Sequence, residues 1–127
     1  MSLSGTYELQ SQENFEAFMS ALGFPDSVIQ MIKDVKSVTE IVQDGNHFVV
    51  TVTTGQKVQR NEFNIGEETE MDSFTGDKIK ATVNLEGGKL VVNIKDVHSV
   101  TELSGDLLIN TMTFKGIVYK KISKKVA

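Results

Sequence analysis

The chain has 127 residues, a formal net charge of −4 and no cysteine, which excludes a disulfide scaffold, a thiolate zinc site and cysteine catalysis. A pI of about 5.1 argues against a nucleic-acid binder, because neutralising phosphates needs a positive surface. With 39% hydrophobic and 24% charged residues, the composition is that of a soluble folded protein, and the length fits one domain over residues 1–127.

A short strand is expected first, at Thr6-Tyr7-Glu8-Leu9-Gln10. Residues 14–22 then place Phe15, Phe18, Met19 and Leu22 at helical spacing, and Gly23 stops that run. A second short helix is expected from Pro25, carrying Val28, Ile29, Ile32 and Val35 on one stripe. From about Thr39 onward the rhythm changes. Glycines at 45, 55, 66, 76, 87, 88, 105 and 116 fall at roughly the 8–12-residue intervals of hairpin strands, with the polar break Lys95-Asp96 serving for the one beat missing between Gly88 and Gly105. The segments between them, such as Phe48-Val49-Val50-Thr51-Val52-Thr53 and Leu90-Val91-Val92-Asn93-Ile94, are rich in strand-forming residues. This is an antiparallel meander, and closing it into a barrel removes exposed edges, with the helix pair as a cap. No stretch is long enough to span a bilayer, and Glu8, Glu13 and Glu16 spoil a signal-peptide pattern, so a cytoplasmic location is the expectation.

Strand parity carries the first functional signal, because alternate residues point to opposite faces. One face of the last strand carries Ile117, Tyr119, Lys121 and Ser123, and one face of each preceding strand carries Ser99 with Thr101 or Asn110 with Met112. If these faces point inward, the interior mixes Lys, Ser, Thr and Asn with large apolar groups. A dry core would leave such atoms unsatisfied at about 1–3 kcal/mol each, so a wet or ligand-filled space suits them better. Parity alone leaves the opposite faces admissible.

The sequence offers no catalytic centre. His47 and His98 each open an expected strand after a turn, without a serine elbow, a phosphate loop or metal-ligand spacing beside them. The acidic run Glu67 to Asp72 lacks the glycine and spacing of a calcium loop. An enzyme, a cofactor and a metal site are therefore not expected.

The opening Gly5-Thr6-Tyr7-Glu8-Leu9-Gln10, followed by Asn14-Phe15-Glu16, resembles the N-terminal signature of the intracellular lipid-binding proteins. Ser37-Val38-Thr39-Glu40-Ile41, Asn61-Glu62-Phe63, Gly66-Glu67-Glu68, Val100-Thr101-Glu102-Leu103 and Asn110-Thr111-Met112-Thr113 are similar to the liver-type fatty acid-binding branch of that family. The resemblance covers the whole chain. It implies a ten-stranded antiparallel up-and-down barrel, or β-clam, capped by a helix-turn-helix lid around a water-containing cavity. It also selects the inward faces, with Ile41, Val50, Val52, Phe63, Met71, Phe74, Val83, Val92, Ile94 and Met112, joined by Phe18 from the first helix, expected against a ligand chain.

The head group is expected at Lys121 with Ser123 and Thr39, with Asn110, Thr101 and Tyr119 nearby. The resemblance implies an arginine two residues before that serine, and Lys121 departs from it by replacing a planar fork with a compact, more easily deprotonated charge. Val28, Met31, Ile32 and Gln56 are expected at a portal, where brief membrane contact could occur. The implied function is a monomeric carrier of long-chain fatty acids. A bile acid carrier of the same fold is one alternative, and an interaction protein with an incidental cavity is another.

Overall fold

The computed structural model describes residues 3–72, 78–94 and 96–127, with Asp72 described by its backbone alone. Phe74, Gly76 and Lys95 lie outside the described residues. The strands are β1 (Gly5–Glu13), β2 (Ser37–Asp44), β3 (His47–Thr54), β4 (Lys57–Asn64), β5 (Glu68–Asp72), β6 (Lys78–Thr82), β7 (Asn84–Glu86), β8 (Lys89–Ile94), β9 (Val97–Ser104), β10 (Leu107–Phe114) and β11 (Ile117–Lys125), and helices α1 (Phe15–Ala21) and α2 (Asp26–Ile32) lie between β1 and β2. All pairings are antiparallel. Nine strands run β4-β3-β2-β1-β11-β10-β9-β8-β7, while β5 and β6 form a separate pair.

This is the up-and-down arrangement expected, curled so that β5 packs beside β4 and β6 beside β8. Among the described residues eleven segments stand where ten strands are expected, because one strand is broken: β6 pairs with β5 and β7 with β8, with only Val83 between them. Among the described residues no ladder joins β4 to β5, so the wall has a seam there.

Turn chemistry accounts for the hairpins. Lys115 and Gly116 both have positive φ, at 49° and 79°, which is the conformation a two-residue type I′ turn needs between β10 and β11. At the front of the chain Asn14 also takes a left-handed conformation, φ 62°, which asparagine tolerates better than most residues. Its amide donates to the Val118 carbonyl at 2.8 Å. The Asn-Phe-Glu signature thus has a mechanical meaning: Asn14 turns the chain out of β1 into α1 and pins the turn to β11.

Two apolar clusters close the two ends. Tyr7, Phe48, Phe63, Met71, Val83, Leu90 and Leu108 fill one end, where the Phe48 and Phe63 rings stack at 5.5 Å. Phe18, Met19, Ile29, Val97, Met112, Phe114 and Tyr119 join the helices to the other end. Opposite charges meet across neighbouring strands, with Glu8 opposite Lys124 and Glu13 opposite Lys120. Glu70 similarly faces Lys80.

Candidate functional site: a two-lobed internal cavity

Between the two clusters lies a cavity in two lobes. The inner lobe, of about 190 Å³, is walled by β2 to β5 and β8 to β11 together with Val83. The outer lobe, of about 200 Å³, lies under α1 and α2 and is walled by Leu9, Phe15, Phe24, Val28, Ile32, Val35 and Tyr119 among others. Val52, Gln59, Met112 and Lys121 line both. Lys121 therefore stands at the junction.

Strand register explains how the polar part of the wall is assembled. Gln12 sits opposite Lys121, Lys121 opposite Asn110, and Asn110 opposite Thr101, so four inward residues form a row across β1, β11, β10 and β9. Directly opposed residues bring their side chains within about 5 Å at Cβ. Asn110 donates to Thr101 Oγ1 at 2.7 Å and to Ser99 Oγ at 3.3 Å. The Tyr119 hydroxyl donates to Gln12 Oε1 at 2.6 Å, and the amide of Gln12 donates onward to the Lys33 carbonyl just past α2 at 3.1 Å.

The Lys121 ammonium has no hydrogen-bond or ion-pair partner among the described residues. It is only half-buried by accessible surface, because the surface it keeps faces the cavity. Burial pushes its pKa below the ordinary lysine value, since taking a charge out of water disfavours the charged form. No carboxylate is among the described residues lining either lobe; the other titratable groups there are Lys57 and Tyr119. The Tyr119 hydroxyl is pushed up by burial and stays neutral.

The expected inward set is brought together almost completely. Thr39, Ile41, Val50, Val52, Phe63, Met71, Val83, Val92, Ile94, Thr101, Asn110, Met112, Lys121 and Ser123 all line the inner lobe, and Tyr119 lines the outer one. Phe18 does not line either lobe. It is 0% exposed and packs at 5.2 Å from the Tyr119 ring and 6.4 Å from Phe114, so it fastens α1 to the barrel. Of the portal residues, Val28 and Ile32 line the outer lobe, whereas Met31 is 75% exposed because it lies on the opposite side of α2. Gln56 is exposed on the turn between β3 and β4, next to Lys57 on the outer-lobe wall.

Some lining residues escaped the sequence reading. Gln59 and Asn61 line the inner lobe and follow from Phe63 by stepping back two residues at a time. Gln12 does not follow so simply. Register shifts between Leu9 and Ser11, and this bulge moves the inward phase from Leu9 to Gln12. The histidines face neighbours on the barrel surface: His47 lies 2.9 Å from Asn64 Oδ1 and 2.7 Å from Glu62 Oε2, and His98 lies 2.8 Å from Asn93 Oδ1.

Comparison with known proteins agrees with this geometry. The sequence profile of the lipocalin / cytosolic fatty-acid binding protein family matches residues 1–127. The chain belongs to this family. Within it, the chain is 57% identical over 127 residues to the liver fatty acid-binding protein of Sus scrofa, covering 99% of this chain and 100% of that protein. It is 60% identical over 126 residues to the liver fatty acid-binding protein 1 of Ambystoma mexicanum, covering 98% and 100%. Among solved structures, zebrafish ileal bile acid-binding protein complexed with cholic acid superposes with a TM-score of 0.87 at 40% identity, over 97% of this chain and 98% of that one. The REP1-NXSQ fatty acid transporter superposes with a TM-score of 0.92 at 26% identity, over 98% and 96%.

Proposed function

We propose that this protein binds long-chain fatty acids in the two-lobed cavity and carries them through the cytoplasm as a monomer, without chemical turnover. The observation that carries the reading is Lys121, a half-buried cation lining both lobes, with no carboxylate among the described lining residues and a largely apolar wall on either side. A fatty acid supplies what that arrangement lacks, a carboxylate on an apolar chain. Its charge would meet the ammonium, with Ser123, Thr39, Asn110 and cavity water completing the polar contacts. The chain would lie against Ile41, Phe63, Met71 and Met112, gaining about 0.8 kcal/mol per buried CH₂, offset by lost freedom and displaced water. The high identity to liver fatty acid-binding proteins supports the same reading, and those relatives are named for binding, not for a reaction.

Substituting Lys121→Met and titrating with palmitate tests the anchor. Loss of a hydrogen bond to a charged group removes about 1.5–3 kcal/mol, so affinity should fall roughly 10- to 150-fold. Unchanged affinity with an unchanged ligand position would remove Lys121 from the role.

A second reading has its own observation. The polar row Gln12, Asn110 and Thr101, with Ser99, Gln59 and Asn61 on the same walls, suits a hydroxylated steroid acid, and the zebrafish bile acid-binding relative is 40% identical. Native mass spectrometry of unrefolded protein separates the two, because a retained fatty acid and a retained bile acid differ in mass. Access to the cavity is assigned to the edge between α2 and the turn from β3 to β4, where Val28 and Ile32 face Thr54 and Lys57 across the outer lobe. Transient contact with a membrane would occur at the same edge, through exposed Met31 and Val58. No described helix is long and apolar enough to cross a membrane.

A further inference from the structure

The features that make Lys121 a carboxylate anchor also make it a nucleophile. An amine attacks a carbonyl only in its neutral form, so exposed lysines are mostly inactive near neutral pH and lysines in apolar surroundings are not. Lys121 has no ion-pair or hydrogen-bond partner among the described residues to hold its proton in place. Its cross-strand neighbours, Gln12 and Asn110, are both neutral. The other titratable groups of the lining are Lys57 and Tyr119, the latter neutral and donating to Gln12. No carboxylate among the described lining residues holds the amine in its charged form.

We infer that the cavity is also a binding site for long-chain aliphatic aldehydes, held as a reversible imine on Lys121 Nζ. The alkyl chain would occupy the inner lobe, where the wall is formed largely by Ile41, Val50, Val52, Phe63, Met71 and Val92, and its carbonyl carbon would reach the junction. The Nζ lone pair forms the new C–N bond as the carbonyl π bond opens onto oxygen. That oxygen takes up a proton to give a carbinolamine, and the hydroxyl then leaves as water while C=N forms and nitrogen gives up its remaining proton. Aldehyde and amine become imine and one water. No oxidant or reductant is consumed, so the adduct forms and reverses in a closed balance. A carboxylate instead selects the ammonium, so one side chain serves two ligand classes through its two protonation states. Arginine at this position could serve only the first, because a guanidinium stays protonated and does not form such an imine.

The test uses the full-length protein with hexadecanal and sodium cyanoborohydride, a reagent that only fixes the imine for measurement. Each unit by which burial lowers a lysine pKa raises its neutral fraction about tenfold near pH 7. Lys121 should therefore be labelled ahead of the exposed lysines. Intact mass should show one hexadecyl group added, and peptide mapping should place it on residue 121. In Lys121→Arg the adduct should fall to the level of exposed lysines, because a guanidinium does not form the imine. Labelling spread evenly over surface lysines, or a wild-type map with residue 121 unmodified, overturns the imine. The wild-type map decides this even if the variant fails to fold. Palmitate affinity measured on the same samples keeps the two readings apart. Absent labelling with intact palmitate binding overturns the imine and leaves the carrier, whereas Lys121 labelling without palmitate binding supports the imine and removes the carrier.

Discussion

The two ends of the barrel are closed by different means. At the end holding Tyr7, Phe48 and Leu108, the cluster is built from strands far apart in sequence, and the buried Tyr7 hydroxyl donates to the Leu3 carbonyl at 2.7 Å. At the other end two seven-residue helices lie over Phe114, Met112 and Tyr119. Neither helix has a side-chain N-cap bond, and isolated helices of that length are marginal in water. Their described tethers are few: Asn14 to Val118, Gln12 to Lys33, and the Glu16 to Lys33 ion pair at 3.5 Å. The sheet therefore supplies a fixed floor and the helices a cover that can open at lower cost, which is what a closed cavity with an exchangeable ligand requires.

The largest expected effects test that asymmetry directly. Phe48→Ala and Phe18→Ala each remove a side chain that is 0% exposed, a loss of about 3–5 kcal/mol in an ordinary core. Phe48→Ala should show the whole cost in global urea denaturation. Phe18→Ala should show less there and more in hydrogen exchange, with protection falling selectively over residues 15–32. Equal global losses with uniform exchange would mean that both ends unfold as one unit.

Next in size is a pH contrast centred on Lys121, between the two ends. A lysine whose folded pKa is depressed binds fewer protons in the folded than in the unfolded state. The ligand-free protein therefore gains stability as pH rises through the lowered pKa toward the ordinary value of 10.5. Fatty acid affinity should move the other way, because a carboxylate selects the protonated form, falling about tenfold per pH unit once the amine is mostly neutral. Melting curves and palmitate titrations over the same alkaline range check both signs. Parallel trends would show that Lys121 does not control binding.

A smaller effect belongs to the link between cavity and cover. Tyr119→Phe removes the bond to Gln12 and leaves Gln12 Oε1 to find water, at about 1–3 kcal/mol. Because Gln12 also holds the Lys33 carbonyl, the variant should speed ligand release more than it lowers thermal stability. Stopped-flow displacement alongside melting checks the ratio.

Much of this architecture is legible in the sequence where one physical rule acts alone. Alternation on β10 and β11 puts Asn110, Met112, Tyr119, Lys121 and Ser123 on one face, and the structure keeps all five inside. Legibility fails where two rules compete. The bulge after Leu9 rephases β1 and brings in Gln12 against simple alternation. On α1 and α2 an apolar stripe looks the same whether it meets a ligand or the barrel wall. Phe18 therefore reads as cavity lining although it packs on Phe114 and Tyr119. The break at Val83 is hidden for a related reason, since a strand that changes partners keeps its own alternation.

The smallest effects distinguish the outer fastenings of the two ends. Glu16→Gln breaks an exposed pair on the cover and should cost no more than about 0.5 kcal/mol, fading with added salt. At the floor end, His47 joins β3 to β4 through Asn64 and Glu62. Its pKa is raised first by the Asn64 hydrogen bond and then by that to Glu62. A raised histidine pKa stabilises the folded state fully below the ordinary 6.5, and this contribution is lost as pH rises through the folded value. NMR titration should therefore find His47 above 6.5, with Asn64→Ala lowering it more than Glu62→Gln. The reverse order would make the carboxylate the controlling partner, and the floor fastening would then share the salt sensitivity of the cover.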